Sequence, residues 1–314
     1  MGLTGILRNN DNREIKKFLD DTVPDISKFK SARYKKAFDE NRINISPVVY
    51  DMSSESALAG TAFDYLARFE VAKKLDSEQS KRISLQVLAS KGLDEIWLQG
   101  YKKYYWKYKK LLNKSLYYIA KYITNEEIDF EEVIKACIYL AKFDQFYRHN
   151  FIKLTEFELT NQKMIDDLKN MDEAFKNWFV RIIVQKDSIV YFNPSFDCYR
   201  GADADIVIDD TLYDFKSGHY FGYQKVETEQ IWAYYLMHEV DILDNSIYES
   251  ANVEINNIAL YRVRCCDCDY IKLKDIKKYK NLVFDFKNLL KKYKLFNGNE
   301  TINMEELTHE VNGT

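Results

Sequence analysis

Residues 202–218, with the sequence ADADIVIDDTLYDFKSG, carry acidic side chains at alternate positions in two segments that otherwise have the composition of buried β-strands. Branched and aromatic residues dominate both segments, and Asp209 and Asp210 between them form a turn signal. The pattern predicts a β-hairpin with a two-residue turn. This hairpin restricts the fold strongly, because its register decides the side of the sheet on which each side chain lies.

The predicted hairpin determines which residues face one another across the two strands. The expected pairs are Ile208 with Thr211, Val207 with Leu212, Asp205 with Asp214, and Asp203 with Lys216. Since side chains alternate along a strand, one face should carry Asp203, Asp205, Asp214 and Lys216, and the other Ala204, Ile206, Ile208, Tyr213 and Phe215. We therefore expect one face to pack into the core and the other to carry polar chemistry.

The two facing acids Asp205 and Asp214 should repel each other, since opposed side chains have Cβ atoms about 4.5–5.5 Å apart. A divalent cation would convert this repulsion into shared coordination, and carboxylate ligands favour a hard ion such as Mg²⁺ or Mn²⁺. Lys216 would point to the same place. The alternative is a solvent-exposed hairpin with hydrated acids, in which Lys216 pairs with Asp203.

The periodicity of the apolar residues changes near residue 180. Upstream, a recurrence every three or four positions predicts helices over 56–75, 94–123, 130–147 and 161–179. Downstream, short β-type segments lie at 180–185, 188–196, 202–209, 211–217 and 257–264, with helices at 227–240 and 273–294. We expect an α/β fold of the α+β type, in which helices flank a small mixed sheet and a large helical subdomain is N-terminal or inserted.

The expected domain boundaries follow this change of pattern. Residues 1–180 form a mainly helical region, residues 181–295 form the mixed region with a basic C-terminal helix, and residues 296–314 form a polar tail. No low-complexity linker separates the two regions, so we expect them to pack together. The 314 residues, 46% of them hydrophobic, are sufficient for a substantial core.

Composition also bears on location and partners. No apolar run is long enough to span a bilayer, and no signal peptide precedes the first helix, so we expect a cytoplasmic protein without a membrane partner. Five unevenly spaced cysteines indicate reduced thiols. The net charge of −3 means that a polyanionic partner must bind to a local patch.

One basic patch is evident in the sequence. Seven lysines and no acid lie between Gln99 and Tyr122. The candidate nucleic-acid-binding residues, which recur at helical spacing, are Lys103, Lys107, Lys110 and Lys114. The alternative is a hydrated outer helix face. The basic C-terminal helix over 272–294 is a second candidate surface.

The hairpin and the helix after it resemble the PD-(D/E)XK nuclease superfamily, specifically its RecB-like exonuclease branch. That branch has an acid at the start of one strand and acid-x-lysine on the next, followed by a helix with glutamine and tyrosine four residues apart. The matching residues are Asp205, Asp214-Phe215-Lys216, and Gln230 with Tyr234. The segment 58–72 resembles the first helix of that core, with Gly60 and Thr61 opening it and Asp64 where the family often has histidine.

The resemblance implies a nuclease core within 181–295 and a Mg²⁺- or Mn²⁺-dependent hydrolysis of phosphodiester bonds. Asp64, Asp205, Asp214 and the backbone carbonyl of Phe215 would hold the ion. Lys216 would assist the attacking water, and Gln230 and Tyr234 would position Lys216 or a substrate phosphate. Two departures stand out: Ala204 precedes the first acid in place of proline, and a long helical stretch separates the first helix from the sheet, which suggests an insertion.

DNA is favoured over RNA as the substrate, and the absence of a helicase motif suggests a helicase or other protein partner, or a role in mobile-element processing or phage defence. The first alternative is a catalytically silent nucleic-acid-binding protein with a nuclease-like fold, and the second is a sugar- or nucleotide-handling hydrolase.

An iron–sulfur cluster is disfavoured, because adjacent strand residues such as Cys265 and Cys266 point to opposite faces. The four histidines are scattered, and none is assigned a catalytic role.

Overall fold

The computed structural model describes residues 12–149, 153–199, 202–244, 246, 252–275 and 280–296. The helices are α1 (Arg13–Thr22), α2 (Ser53–Lys74), α3 (Glu78–Ser84), α4 (Ala89–Leu98), α5 (Lys102–Ile123), α6 (Phe130–His149), α7 (Gln162–Phe175), α8 (Lys225–Leu243) and α9 (Lys280–Lys292). The strands are β1 (Lys30–Ser31), β2 (Val190–Phe192), β3 (Ile206–Ile208), β4 (Thr211–Lys216), β5 (Asn257–Arg262) and β6 (Asp267–Lys272). The expected α/β class is confirmed.

The strands form one mixed sheet in the order β1-β6-β5-β4-β3-β2. Neighbours are antiparallel except β4 and β5, which are parallel and are connected through α8. The predicted hairpin register is confirmed over the paired residues, with Ile208 opposite Thr211 and Val207 opposite Leu212. The turn between them uses Asp209 in the left-handed region, at a φ of 53°.

Both faces of the sheet are covered by buried residues. Tyr213 and Phe215 pack into a large cluster with α2, α6 and α7, whereas Leu212 packs into a second cluster with α1, α8 and α9. The expectation of one core face and one chemical face is therefore wrong for most of β4, because α8 covers the face that bears Asp214. The polar side chains occupy only the end of that face.

Several local expectations are corrected. Ala204 packs on the side of Leu212 and not with Ile206, because the chain bends at Asp205 and β3 begins only at Ile206. Asp203 bridges to Ser195 and does not lie opposite Lys216.

The segment 180–185 is mostly helical, not a strand: α7 continues through a π-helical turn, Lys176–Val180, and a last turn, Arg181–Ile183. Burial of Phe179, which stacks on Phe175 at 4.7 Å, outweighs the β-propensity of the branched residues here. Strands β1 and β6 and helix α1 had no clear sequence signal. No helix of the described residues is long and apolar enough to cross a membrane.

Helices α4 and α6 approach so closely that Gly92 has no room for a side chain. A Cβ at this position would lie 2.0 Å from the carbonyl oxygen of Phe143. We expect Gly92→Ala to lower the free energy of unfolding by about 1–3 kcal/mol or more, because two backbones must separate. Urea unfolding would measure this, with Gly218→Ala as control, since no heavy atom lies within 4 Å of a Cβ there. Equal stability of Gly92→Ala and wild type would contradict this packing.

A buried acidic pair in the helical region should make stability depend on pH. Burial, and then the charge of Glu70, raise the pKa of Asp172 to about 8, although Lys176 Nζ lies 2.6 Å from its carboxylate. The folded state therefore keeps a proton that the unfolded state loses near pH 4, so stability should fall as pH rises from about 4 to 8.

In the Asp172→Asn variant, the fall in the free energy of unfolding between about pH 4 and 8 should be smaller than in the wild type by about 1–3 kcal/mol. Chemical unfolding at about pH 5 and pH 8 would test it. The matched control is Asp166→Asn, at an exposed position of the same helix. Parallel pH profiles for wild type and Asp172→Asn would contradict the assignment.

Candidate functional site

Strand β4 directs Asp214 and Lys216 toward α8. Asp214 is buried, and Lys216 Nζ lies 2.5 Å from its Oδ2 atom in an ion pair. Lys216 Nζ also donates a hydrogen bond of 3.0 Å to Gln230 Oε1, and Gln230 Nε2 donates one of 2.9 Å to the hydroxyl of Tyr234. Four of the residues expected to be catalytic thus form one continuous chain of polar contacts, which we call the polar relay.

The local sequence explains why α8 presents two members of this relay. Gln230 and Tyr234 are four residues apart, so they lie on the same helix face. The Tyr234 ring is buried and stacks on Phe196 with a centroid separation of 5.8 Å. Burial, and then the charge of Asp214, raise the pKa of the Tyr234 phenol above its ordinary value, so the phenol stays protonated. The helix therefore holds a neutral hydroxyl beside the acids, and this hydroxyl accepts from the Gln230 amide.

Lys216 remains a cation in this setting. Burial acts to lower the pKa of its ammonium, but the charge of Asp214 and the contact with its carboxylate raise the pKa above the ordinary value overall. The solvated-hairpin alternative paired Lys216 with Asp203, and the structure does not form that pair. Asp203 instead accepts from Arg148 at 3.1 Å and from Ser195 at 3.0 Å.

Asp205 lies directly before β3, and its side chain reaches across the hairpin. Its Oδ2 atom accepts a hydrogen bond of 2.6 Å from the backbone N–H of Phe215. Burial, and then the charge of Asp214, raise the pKa of Asp205 to about 7. The charges of the two acids thus act on each other, but Asp205 precedes the paired residues of β3 and is not the ladder partner of Asp214 that the hairpin predicts. The ligand role of the Phe215 carbonyl stays a prediction.

Helix α2 supplies the third acid. Gly60 does not open this helix, which begins at Ser53; it lies in the interior, where a Cβ would be 3.0 Å from the hydroxyl of Ser217. The small residue allows α2 to approach the end of β4. Asp64 follows four residues later on the same face. Burial, and then the charges of Asp205 and Asp214, raise the pKa of Asp64 well above its ordinary value.

The carboxyl groups of Asp64, Asp205 and Asp214 therefore interact electrostatically with one another. They also interact with the ammonium of Lys216. Each is an oxygen donor of the type that hard divalent ions take. Burial, and then like charge that such an ion would offset, raise the pKa values of Asp64 and Asp205. The donor chemistry fits Mg²⁺ or Mn²⁺. As the described residues stand, however, no group of three or more His, Cys, Asp or Glu side chains is arranged to hold a metal ion. To hold an ion, the carboxylate of Asp214 would have to turn from its ion pair with Lys216. The carboxylate of Asp205 would have to turn from its hydrogen bond with the Phe215 N–H.

Sequence reasoning missed two charged groups next to the relay. Glu227 lies three residues before Gln230 on α8 and pairs with Arg262 at 2.5 Å. Arg264 donates a hydrogen bond of 2.6 Å to the carbonyl of Ser217, directly after Lys216, and pairs in a bidentate manner with Asp167. The helical spacing could have identified Glu227, whereas no local pattern connects Arg264 with Ser217.

The basic stripe of α5 is exposed, as its spacing predicts. Lys103, Lys107, Lys110 and Lys114 all lie at the surface, and Lys107 pairs with Glu158 at 2.6 Å. Whether the stripe binds phosphates stays a prediction.

If the stripe contacts phosphates, replacing all four lysines with glutamine should reduce the slope of log affinity against log salt by about one for each lost contact. Salt titrations of binding to DNA would measure this. The control replaces four exposed lysines outside α5, namely Lys17, Lys28, Lys35 and Lys36. An unchanged slope in the α5 variant would support a hydrated face.

The five cysteines and the described histidines His219 and His238 lie outside the relay. All five cysteines are buried free thiols. Cys137 belongs to the cluster of the helical half, and Cys266 adopts a left-handed φ of 52° in the turn before β6. His219 Nδ1 lies 3.1 Å from the side-chain amide of Asn44, and burial lowers the pKa of His219. None of these groups is part of the polar relay.

Comparisons of the chain with protein-family models, with curated proteins and with solved structures found no match.

Proposed function

We propose that this protein is a Mg²⁺- or Mn²⁺-dependent nuclease that hydrolyses phosphodiester bonds in DNA. The observation that carries the proposal is the polar relay from Asp214 through Lys216 to Gln230 and Tyr234, with Asp205 beside it. A hydrated hairpin does not require a half-buried lysine that contacts both a strand acid and a helix amide. The arrangement is what a site requires when it must hold a cation and orient a water molecule.

In this proposal the acids Asp64, Asp205 and Asp214 would hold the ion. Such an ion, when bound, lowers the pKa of a water molecule and offsets negative charge that develops on the phosphate. Lys216 orients the attacking water by donating to it, and Gln230 fixes the position of the ammonium through the 3.0 Å hydrogen bond. The protonated Tyr234 in turn holds the Gln230 amide, so the ammonium keeps one direction.

A cleavage assay tests the proposal directly. Purified protein should be incubated with linear duplex, circular duplex and single-stranded DNA and with RNA, in Mg²⁺, in Mn²⁺ and in a chelator. We expect metal-dependent cleavage of DNA that the chelator abolishes. The control variant Asp94→Asn changes an exposed acid on α4 and should cut as the wild type does.

The assay also separates the proposal from its alternatives. Resistance of circular DNA alone would assign an exonuclease, and cleavage of RNA alone would change the substrate class. A protein that binds nucleic acid but cuts none of the four substrates in either metal would be a catalytically silent binder, and the nuclease proposal would fail.

A further inference from the structure

A row of three aromatic rings lies where α4 turns into α5, with the half-buried Tyr105 between two exposed tryptophans. The ring centroids of Trp97 and Tyr105 are 4.9 Å apart, and those of Tyr105 and Trp106 are 5.2 Å apart. Trp97 is 43% exposed and Trp106 is 58% exposed. Large rings are usually buried, so two exposed tryptophans supported by one half-buried tyrosine ring indicate a binding surface.

Cations accompany these rings on the same surface. The ammonium of Lys102 lies 5.7 Å from the Trp97 ring centroid, and that of Lys109 lies 5.7 Å from Tyr105 and 5.4 Å from Trp106. The three rings and the two lysines are called here the aromatic–lysine surface. It combines flat apolar faces with positive charge at a spacing of a few ångströms.

The turn that builds this surface is specified by Gly100. Its φ of 82° is open to glycine at little cost, and the Tyr101 N–H bonds to the Ile96 carbonyl while the Gly100 N–H bonds to that of Trp97. This helix-terminating motif reverses the chain, so the last turn of α4 and the first turn of α5 share one surface. The buried residues of α5, such as Tyr108 and Leu112, lie on the side away from Trp106, and Tyr105 lies at the edge of that buried side, against the core.

The charge around the surface selects a polyanion. Seven lysines and no acid lie between Gln99 and Tyr122 in a chain whose net charge is −3. The nearest acids along the chain are Asp94 and Glu95 of α4, and the Glu95 carboxylate already accepts from the Gln99 amide at 2.8 Å. Exposed lysines and rings alternate along α5, whereas a membrane-surface helix separates an apolar stripe from its charges.

We propose that the aromatic–lysine surface binds single-stranded nucleic acid, with bases stacking on the exposed Trp97 and Trp106, Tyr105 supporting the two rings, and phosphates contacting Lys102 and Lys109. Unpaired bases can stack on exposed rings, whereas the bases of a duplex are already stacked on one another. The inference that single-stranded nucleic acid is the substrate rests on the proposed nuclease function. Binding to the aromatic–lysine surface can be tested without any cleavage.

The experiment measures binding of a fluorescein-labelled oligothymidylate and of a labelled duplex by anisotropy, in a chelator so that neither is cut. The double variant Trp97→Ala, Trp106→Ala should bind the single strand about tenfold more weakly or worse, since the rings on which two bases would stack are removed. The matched control is Trp178→Ala, because Trp178 is also 43% exposed and lies under a cation, with Arg33 Cζ 3.8 Å from its ring. It should bind as the wild type does.

Unchanged single-strand affinity in the double variant, or an equal loss for the duplex, would overturn the proposal. Binding of anionic phospholipid vesicles that is lost in the double variant, without oligonucleotide binding by the wild type, would also overturn it and assign a membrane surface.

The cleavage assay separates this proposal from the proposed nuclease function. A wild type that binds the single strand through these rings but never cuts would leave this surface standing and remove the nuclease function, whereas a double variant that binds and cuts normally would do the reverse.

Discussion

Replacing Asp214 with alanine or asparagine should abolish cleavage and reduce the calorimetric response to Mn²⁺. The carboxylate contacts Lys216, and its charge adds to burial in raising the pKa of Asp205. Its removal takes away the acid shared by the proposed metal site and the relay. Because a bound metal supplies several kcal/mol of transition-state stabilisation, the rate should fall by about a thousandfold or more.

Folding must be checked in this variant, since removing one partner of a buried ion pair leaves the other uncompensated. Asp214→Asn preserves the volume, and circular dichroism with urea unfolding would show whether the fold persists. Asp94→Asn provides the same chemical change at an exposed position. A folded Asp214→Asn protein that cuts at the wild-type rate would exclude Asp214 from the reaction.

Replacing Lys216 with alanine or methionine should affect metal binding and cleavage differently from replacing Asp214. Removing the ammonium should leave Mn²⁺ affinity unchanged or increase it, because a nearby positive charge is lost. Cleavage should nevertheless fall by about a hundredfold or more, since the attacking water loses the group that orients it. Calorimetry and single-turnover cleavage, measured on the same preparation, would separate binding from chemistry.

The control for Lys216 is Lys17→Met at an exposed position of α1, which should change neither property. Substrate binding in a chelator should survive in the Lys216 variants. If Lys216→Met cuts normally, the ammonium only neutralises Asp214, and the relay would be structural. If Lys216→Met loses Mn²⁺ binding as completely as Asp214→Asn, the division of labour between the two residues would be wrong.

The two groups that sequence reasoning missed suggest how the relay is held in place. Arg264 donates to the carbonyl of Ser217 and is itself fixed by Asp167 on α7, so a helix of the N-terminal half constrains the end of β4. Glu227 is fixed by Arg262, a residue of β5 that lies beside Lys216 in the sheet. These pairs support the geometry of the relay from both neighbouring layers.

Local periodicity was sufficient to predict the parts of the site that lie close together in the chain. A two-residue turn and the alternation of strand side chains predicted the register of β3 and β4 from Ile206 to Tyr213. The interaction of Asp205 with Asp214 also depends on the bend at Asp205, whose carboxylate accepts from the Phe215 N–H. The spacing of four residues likewise put Gln230 and Tyr234 on one helix face. Such features depend on backbone geometry over a few residues, which sequence patterns report well.

Tertiary structure decided everything that required distant segments to meet. The approach of α2 to Ser217 depends on the missing side chain of Gly60, and the sequence alone does not say what would lie against it. Segment 180–185 has β-type residues yet is mostly helical, since Phe179 gains more by burial in the core of the helical half than its neighbours lose in local preference. Asp203 pairs with Arg148 and not with Lys216, because the chain bends at Asp205. Register and helix faces are local properties, whereas burial and ion pairing depend on which surfaces the whole chain brings together.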